Sequence, residues 1–307
     1  MKRLLVIRFS ALGDVALVVP VLRALAEQYP DLAITMLCQA HMAELFADMP
    51  ANVTFVGANL KDQCLSEIVR ELGSFDAVAD LHDVWRSKYI RFRMRLRGAR
   101  VRSICKNRRA RYLLTHTAKH PALPHATTLY SEVFRRLGYP VTLPAPCHTE
   151  GQGIGIAPFA AHAGKCYPLD RMERVISLLH EPVVLFGSQQ EAELLESWAA
   201  KYPHVRCVAG KMGLAQELEQ MRSLRVMLTM DSANMHLASL VGTRVVSIWG
   251  ATHPKAGFLG FGQKEQDCIQ RDLPCRPCSI YGKKKCKFGD YRCLAISPEE
   301  IVAKLNA

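Results

Sequence analysis

Four charged side chains follow predicted buried strands, where the side chains of α/β proteins often meet a ligand. A carboxylate at such a position can take a proton from an attacking hydroxyl or hold a sugar hydroxyl, and a lysine can neutralise a diphosphate. The pattern therefore suits a ligand with both phosphate and hydroxyl groups. The four residues are Asp14, Lys165, Glu191 and Asp231.

The stretch Val226–His253 carries the most organised of these patterns. It predicts a strand Val226–Met230, a helix Met235–Val241 and a second strand. Asp231-Ser232-Ala233-Asn234 supplies helix-start residues, and a helix beginning directly after a parallel strand points its free N–H groups into the crevice above the sheet. This favours a phosphate there, with Asp231 beside it to hold a sugar hydroxyl or a cation. An ordinary N-cap without a ligand explains the same pattern.

A second motif, Arg8-Phe9-Ser10-Ala11-Leu12-Gly13-Asp14, follows the first predicted strand. Gly13 allows a tight turn, and Arg8 can bind an anionic substrate. Asp14 falls in the first turn of the next predicted helix, where a carboxylate is either an N-cap or a general base. The spacing alone favours the cap.

The second half of the chain carries two more candidates. Lys165 ends a loop after a predicted strand, where phosphate loops lie, although the Walker A spacing is absent. A surface lysine is the alternative. Glu191 follows Phe186-Gly187-Ser188 at a strand–helix junction, where it can accept hydrogen bonds from ribose hydroxyls. A first-turn glutamate also has an ordinary explanation in the helix dipole.

Four late cysteines have the spacing Cys275-x2-Cys278-x7-Cys286-x6-Cys293. One CxxC pair and two further cysteines are compatible with a zinc ion, but the second pair lacks the close spacing. Reduced loop thiols or an oxidised pair explain the pattern as well. We predict a structural role without a metal.

Positive charge is concentrated in the segment 86–111. It holds 12 Lys or Arg residues and no Asp or Glu, whereas the remaining chain holds 28 of each sign. Such a segment attracts phosphates, anionic sugars, an anionic membrane surface or nucleic acid. Aromatic residues are sparse within it, which makes nucleic acid the weaker partner. The alternative, a solvated helix face, is disfavoured because uncompensated charges repel one another.

Length and pattern indicate two domains. The 307 residues exceed what one small core needs, and the alternation of apolar strands with helices occurs twice. We expect an α/β protein with two doubly wound parallel sheets and a ligand crevice between them. The predicted domains are 1–145 and 151–295, separated by a proline-rich linker 139–150, with a C-terminal helix in 296–307.

Individual elements follow from the same patterns. They include a helix Asp14–Gln28, a basic helix Arg86–Arg97 and a loop His116–His125, and regular structure is predicted to fade after His253. The chain has no apolar run long enough to span a membrane, and its N-terminus does not have the pattern of a signal peptide. Together with 11 cysteines, of which seven are scattered singly along the chain, this favours a cytoplasmic location.

Together these motifs resemble glycosyltransferase family 9, the ADP-heptose:lipopolysaccharide heptosyltransferases. The resemblance rests on Val6–Asp14, Lys165, Phe186–Glu191, Thr229–Ala238 and the late cysteines, with Trp249–Pro254 also contributing. It covers nearly the whole chain and implies a GT-B fold, two Rossmann-like domains around a cleft. It also implies an inverting transfer from a nucleotide sugar that uses neither a metal nor another cofactor.

The resemblance also assigns roles to individual residues. Asp14 matches the catalytic base, and the acceptor side includes Arg8, Ser10 and Gly13. The donor side consists of Lys165 for phosphate, Glu191 for ribose, Met212 for adenine, and Asp231, Ser232, Ala233, Asn234 and His236 for sugar and diphosphate. Two segments differ from the family pattern, Asp231-Ser232-Ala233 and the loop Ala160-Ala161-His162-Ala163.

The partners that the resemblance implies are a nucleotide-sugar donor of the ADP-heptose type and an anionic glycolipid acceptor such as the lipopolysaccharide inner core. The segment 86–111 predicts peripheral contact with the anionic inner face of the inner membrane. Two alternatives stay open. One is a sugar-nucleotide epimerase of the same fold, and the other is a non-catalytic nucleic-acid-binding module that uses 86–111.

Overall fold

The computed structural model describes residues 1–117 and 122–307. The chain divides into two compact units, one formed by 1–106 with 126–145 and the other by 107–125 with 146–307. Each unit contains one parallel sheet with helices between the strands, which confirms the predicted α/β class with two parallel sheets.

The first unit contains a five-stranded sheet of order β3-β2-β1-β4-β5, in which every pair is parallel. The central strand β1 is buried on both faces, since Leu4, Leu5, Val6 and Ile7 are all fully buried. This explains why its sequence is a continuous apolar run. The strands are β1 Lys2–Ile7, β2 Leu32–Gln39, β3 Val53–Ala58, β4 Ala77–Asp80 and β5 Arg100–Ser103.

The second unit contains a six-stranded sheet of order β11-β10-β9-β6-β7-β8, again parallel throughout. Counted from its own first strand, this is the 3-2-1-4-5-6 order of dinucleotide-binding folds. The strands are β6 Ile154–Ala157, β7 Val183–Leu185, β8 Val205–Cys207, β9 Val226–Met230, β10 Arg244–Trp249 and β11 Cys268–Gln270.

Most helices connect successive parallel strands, as parallel sheets require. The helices are α1 Leu12–Ala16, α2 Val18–Gln28, α3 Leu65–Leu72, α4 Trp85–Leu96, α5 Arg108–His116, α6 Ala126–Leu137, α7 Leu169–Leu178, α8 Ala192–Lys201, α9 Leu214–Arg222, α10 Ala233–Leu240 and α11 Pro298–Asn306.

Several predicted elements need correction. The single helix Asp14–Gln28 is two helices that meet at Leu17, because Pro20 has no N–H to continue the bond pattern of α1 into α2. The connection between β2 and β3 contains a 3-10 helix, Ala40–Phe46. The short strand β11 lies after His253, where no regular structure was expected.

Helix α5 was also missed, because its apolar residues do not form a stripe and only Leu114 is buried. It belongs to the segment 107–125, which clusters with the second unit although the sequence assigned it to the first domain. The predicted loop His116–His125 includes residues 118–121, which lie outside the described residues. The domain boundaries and the cleft stay predictions.

Each sheet has one position where the connections that follow two neighbouring strands run in opposite directions. These switch points lie between β1 and β4 in the first sheet and between β6 and β9 in the second. Loops that follow such strands diverge and leave a crevice at the carboxyl edge, where open α/β sheets bind ligands. Within the described residues, no helix has the length and apolar character needed to cross a membrane.

Candidate functional site

At the switch point of the first sheet, a buried arginine pairs with a carboxylate. Arg8 directly follows β1, and its Nη2 lies 2.9 Å from Oδ2 of Asp14. Its Nη1 donates to the carbonyl oxygen of Leu81, just after β4, at 2.5 Å. The guanidinium also lies 5.4 Å from the ring centroid of Tyr130. Arg8 therefore ties the loops after both strands to Asp14.

Asp14 combines a local role with exposure to solvent. It lies in the first turn of α1, and its Oδ2 accepts a hydrogen bond from the backbone N–H of Ala11 at 3.4 Å. This is the capping contact that the spacing favours. Its side chain is nevertheless 28% exposed, compared with 8% for its partner Arg8. The carboxylate can therefore cap α1 and still meet a hydroxyl group.

His82 joins this site, and sequence reasoning missed it. The N–H of Phe9 donates to its Nδ1 at 3.3 Å, and the hydroxyl of Ser10 lies 3.4 Å from its Nε2. Burial, together with the positive charges of Arg8 and Lys106, lowers the pKa of His82 to about 4. His82 is therefore a neutral imidazole near pH 7. Its position directly after β4 was the available signal.

A second ion pair fixes the loop that carries His82. Asp80, fully buried at the end of β4, accepts hydrogen bonds from the N–H groups of His82 and Asp83 at 3.0 and 2.9 Å. Its Oδ2 lies 3.0 Å from Nη1 of Arg91, on α4. This network holds the start of α4 against the sheet. It also neutralises one arginine of the basic helix.

At the switch point of the second sheet, the predicted donor residues Lys165 and Asp231 form an ion pair. Lys165 Nζ lies 2.9 Å from Asp231 Oδ2, and the two side chains are 16% and 8% exposed. The hydroxyl of Thr252 donates to the same Oδ2 at 2.7 Å. The loop after β6 and the ends of β9 and β10 thus meet at one carboxylate. Thr252 was not singled out from the sequence.

The N-terminus of α10 follows directly from this carboxylate. Ala233 and Asn234 are its first residues and are half-buried, whereas His236 is buried inside the helix. Ser232 occupies the cap position, but its hydroxyl lies 3.1 Å from that of Thr229 instead of capping the helix. The first-turn N–H groups therefore lie next to Lys165 and Asp231, in the arrangement that suits an anion.

A buried arginine supports the loop that carries Thr252. Arg276 is 4% exposed, and its guanidinium donates to the carbonyl oxygens of Trp249, Gly250 and Thr252 at 3.0, 2.5 and 2.8 Å. It also donates to the carbonyl of Arg271. Such a set of charged hydrogen bonds fixes the backbone at the end of β10. Arg276 therefore positions Thr252 against Asp231.

Two predicted donor residues are not joined to this ion pair. Glu191 Oε2 accepts a hydrogen bond from the N–H of Ser188 at 2.7 Å, which is a local turn contact. Met212 is half-buried in the turn before α9. Within 1–117 and 122–307, no hydrogen bond or ion pair connects either residue to Lys165 or Asp231. Their roles at ribose and adenine stay predictions.

The late cysteines lie in the loop between β11 and α11. Among the described residues, no group of three or more His, Cys, Asp or Glu side chains could hold a metal ion, and these four cysteines carry free thiols. Cys293 is buried in the core of the second unit. The loop also supplies Arg276, which gives the segment a structural role near Asp231.

Comparison with models of protein families identifies one family. Residues 67–291, more than half of the chain, match the model of glycosyltransferase family 9 (heptosyltransferase). The comparison with curated proteins gave no match.

Solved structures share the fold over nearly the full length. The glycosyl transferase family 9 protein from Veillonella parvula is 20% identical, with a TM-score of 0.75 over 99% of this chain and 96% of that chain. ADP-heptose LPS heptosyltransferase II from E. coli is 20% identical, with a TM-score of 0.65 over 100% and 98%. E. coli heptosyltransferase WaaC with ADP is 18% identical, with a TM-score of 0.66 over 85% and 92%. With both parallel sheets and the family match in place, the chain belongs to glycosyltransferase family 9, the heptosyltransferase family.

Proposed function

We propose that this glycosyltransferase transfers a heptose or related sugar from a nucleotide-diphosphate donor of the ADP-heptose type to an anionic glycolipid acceptor such as the lipopolysaccharide inner core. The observation that carries the proposal is the Lys165–Asp231 ion pair beside the first turn of α10. It joins a cation and helix N–H groups, which suit a diphosphate, to a carboxylate, which suits a sugar hydroxyl. Solved relatives include an E. coli heptosyltransferase with ADP.

In the proposed reaction, the bond between the sugar and the diphosphate breaks and negative charge develops on the leaving phosphate. Lys165 and the N–H groups at the start of α10 stabilise that charge, so the transfer needs no metal ion. Thr252 holds one oxygen of Asp231 at 2.7 Å, which orients the carboxylate for a sugar hydroxyl.

Asp14 supplies the base for the acceptor. An acceptor hydroxyl attacks the anomeric carbon from the face opposite the leaving group, which inverts the configuration, and its proton passes to Asp14. Nη2 of Arg8 lies 2.9 Å from Oδ2 of Asp14 and orients the carboxylate.

The test is calorimetric titration of the purified protein with ADP, UDP, GDP and CMP, with and without EDTA. We expect selective ADP binding that EDTA does not change. A preference for UDP, GDP or CMP would overturn the ADP-type donor. Failure to bind any of the four would count against nucleotide-sugar transfer altogether.

Helix α4 supports a further part of the proposal, peripheral contact with an anionic membrane. Its solvent side presents the exposed apolar residues Trp85, Phe92 and Leu96, which are 65%, 57% and 69% exposed. Basic residues flank them, and a cavity of about 310 Å³ is lined by Phe92 together with Lys88, Arg91, Arg95, Val101 and Ser103. Exposed aromatic and leucine side chains among basic residues are typical of helices that lie in a membrane interface.

Co-sedimentation with vesicles tests this contact. We expect binding to phosphatidylcholine vesicles only when they contain phosphatidylglycerol, and its loss in the variant W85S/F92S/L96S. The matched control Y112S/L113S replaces exposed apolar residues of α5 and should keep binding. Equal binding of both variants would remove the membrane role from α4.

A further inference from the structure

The predicted basic segment 86–111 is divided between the two units. Its first part, with α4, belongs to the first unit, whereas residues 107–111 belong to the second unit. There Arg111 of α5 meets residues far away in the sequence. Its Nη1 lies 2.6 Å from the hydroxyl of Tyr281, and its guanidinium lies 5.8 Å from the ring centroids of Tyr281 and Phe258. Helix α5 is therefore fixed to the segment that follows Tyr281.

That segment is itself basic. Lys283, Lys284, Lys285 and Lys287 are all exposed, and we call Lys283–Lys287 the lysine loop. The nearby carboxylate of Asp290 is paired with Arg292 at 2.8 Å. The lysine loop itself contains no acidic residue. Its charges are therefore available to an anionic ligand.

The residue that precedes the lysine loop lies against Lys165, the lysine predicted to bind phosphate. Gly282 has φ +78°, and a Cβ added to it would lie 2.8 Å from Cγ and 3.1 Å from Cε of Lys165. Both the backbone conformation and the contact require glycine. The stem of Lys165 thus packs on the backbone at Gly282, directly before Lys283.

The base of this segment is rigidly attached to the same site. The N–H groups of Cys278 and Ser279 donate to the carbonyl oxygen of Ala251 at 3.1 and 3.2 Å. Arg276 binds the neighbouring carbonyls of Gly250 and Thr252. Residues 276–282 therefore follow the loop of Thr252 and carry the lysine loop to the side of Lys165.

We propose that the lysine loop, supported by α5, is a basic clamp that binds the diphosphate of the donor together with Lys165. This inference rests on the proposed function and names further binding residues for it. A second cluster of cations next to Lys165 supplies positive charge that many transferases obtain from a divalent ion. The ligand class is a nucleoside diphosphate, and affinity should depend on the number of phosphates.

The test compares adenosine, AMP and ADP binding by calorimetry in the wild type and in K283Q/K284Q/K285Q. ADP affinity should fall roughly tenfold in the variant, because exposed charge pairs each contribute modestly. AMP affinity should fall less, and adenosine affinity should not change. The control K61Q/K264Q/K304Q removes the same charge elsewhere in the chain and should keep ADP affinity.

Each outcome bears on a different claim. If the wild type binds ADP and the lysine variant binds it equally well, the clamp is wrong and the proposed function stands. If the wild type binds no nucleotide, both fail. Equal losses for adenosine and ADP would indicate damage to the site and would also overturn the clamp. Y281F keeps the ring but removes the hydroxyl that Arg111 contacts, and we expect it to lower ADP affinity about twofold.

Discussion

The two sheets place an ion pair at the same topological position, but they expose opposite charges. In the first unit the cation Arg8 is the buried member, 8% exposed, and the carboxylate Asp14 is 28% exposed. In the second unit the carboxylate Asp231 is buried, 8% exposed, and the ammonium of Lys165 is the more exposed member at 16%. Both pairs have a separation of 2.9 Å.

The origin of each charge explains the difference. In the first unit the cation directly follows the central strand and the carboxylate comes from the next helix. In the second unit the carboxylate directly follows β9 and the cation comes from the longer loop after β6. The residue next to the strand is the buried one in both cases. One edge can therefore offer a base, and the other a phosphate-binding cation.

The sharpest test of this contrast is to remove the exposed carboxylate of the first unit. We expect Asp14→Asn to lower turnover about a thousandfold, because general-base catalysis is lost. ADP affinity should stay within about twofold, since the proposed donor residues lie in the second unit. Initial rates and calorimetry on the same preparation measure the two effects.

The variant also removes the charge that faces buried Arg8, so its melting temperature is the necessary control. Asp14→Asn retains an oxygen that can accept from the N–H of Ala11. A well-folded variant that loses ADP binding along with turnover would show that Asp14 is not specific to the acceptor step.

The second unit should respond in the opposite way, through binding and stability. We expect Lys165→Met to weaken ADP binding about thirtyfold and to lower the free energy of unfolding by about 3 kcal/mol, because Asp231 is left buried without its cation. Adding Asp231→Asn should restore most of the stability but not the ADP affinity. Urea unfolding and calorimetry of the single and double variants measure both quantities.

The double variant decides whether Lys165 binds phosphate or only neutralises Asp231. Recovery of ADP affinity together with stability would leave Lys165 a purely structural partner. Persistent loss of affinity in a stable protein would support direct contact with the diphosphate.

Sequence patterns predicted the two strands that Arg8 and Asp231 follow, and they singled out both residues. Asp231 ends an apolar run, and Arg8 follows another, so their place at the carboxyl edge follows from the strand pattern alone. The residues that support Asp231 and Lys165 were harder to predict. Thr252, Arg276 and Gly282 lie on irregular loops, and only the folded chain brings them to Asp231 and Lys165.

Two further features were not predicted from the sequence, and each has a physical reason. Helix α5 has a single buried residue, Leu114, so no apolar periodicity marked it. The lysine loop was not singled out because the chain outside 86–111 is neutral as a whole, and only the structure brings Arg111 to Tyr281 beside this loop. Net charge over a sequence therefore does not reveal a basic surface that two distant segments form together.

The smallest expected effect is the pH dependence that His82 gives to the free energy of unfolding. His82 has its pKa lowered from 6.5 to about 4 in the folded protein, mainly by burial. As the pH falls, His82 therefore binds a proton at a higher pH in the unfolded state than in the folded state. The contribution of His82 to the free energy of unfolding is complete above pH 6.5 and is lost as the pH falls toward 4. It amounts to roughly 1–2 kcal/mol once the partial exposure of the side chain is allowed for.

We expect His82→Gln to flatten this dependence, because glutamine does not titrate. Urea unfolding of the wild type and the variant at several values between pH 7.5 and 4.5 measures the difference. Lys165→Met should retain the wild-type slope, since His82 contacts Phe9 and Ser10 of the first unit. An unchanged slope in His82→Gln would place the titrating group elsewhere and would remove His82 from the electrostatics of the Arg8–Asp14 site.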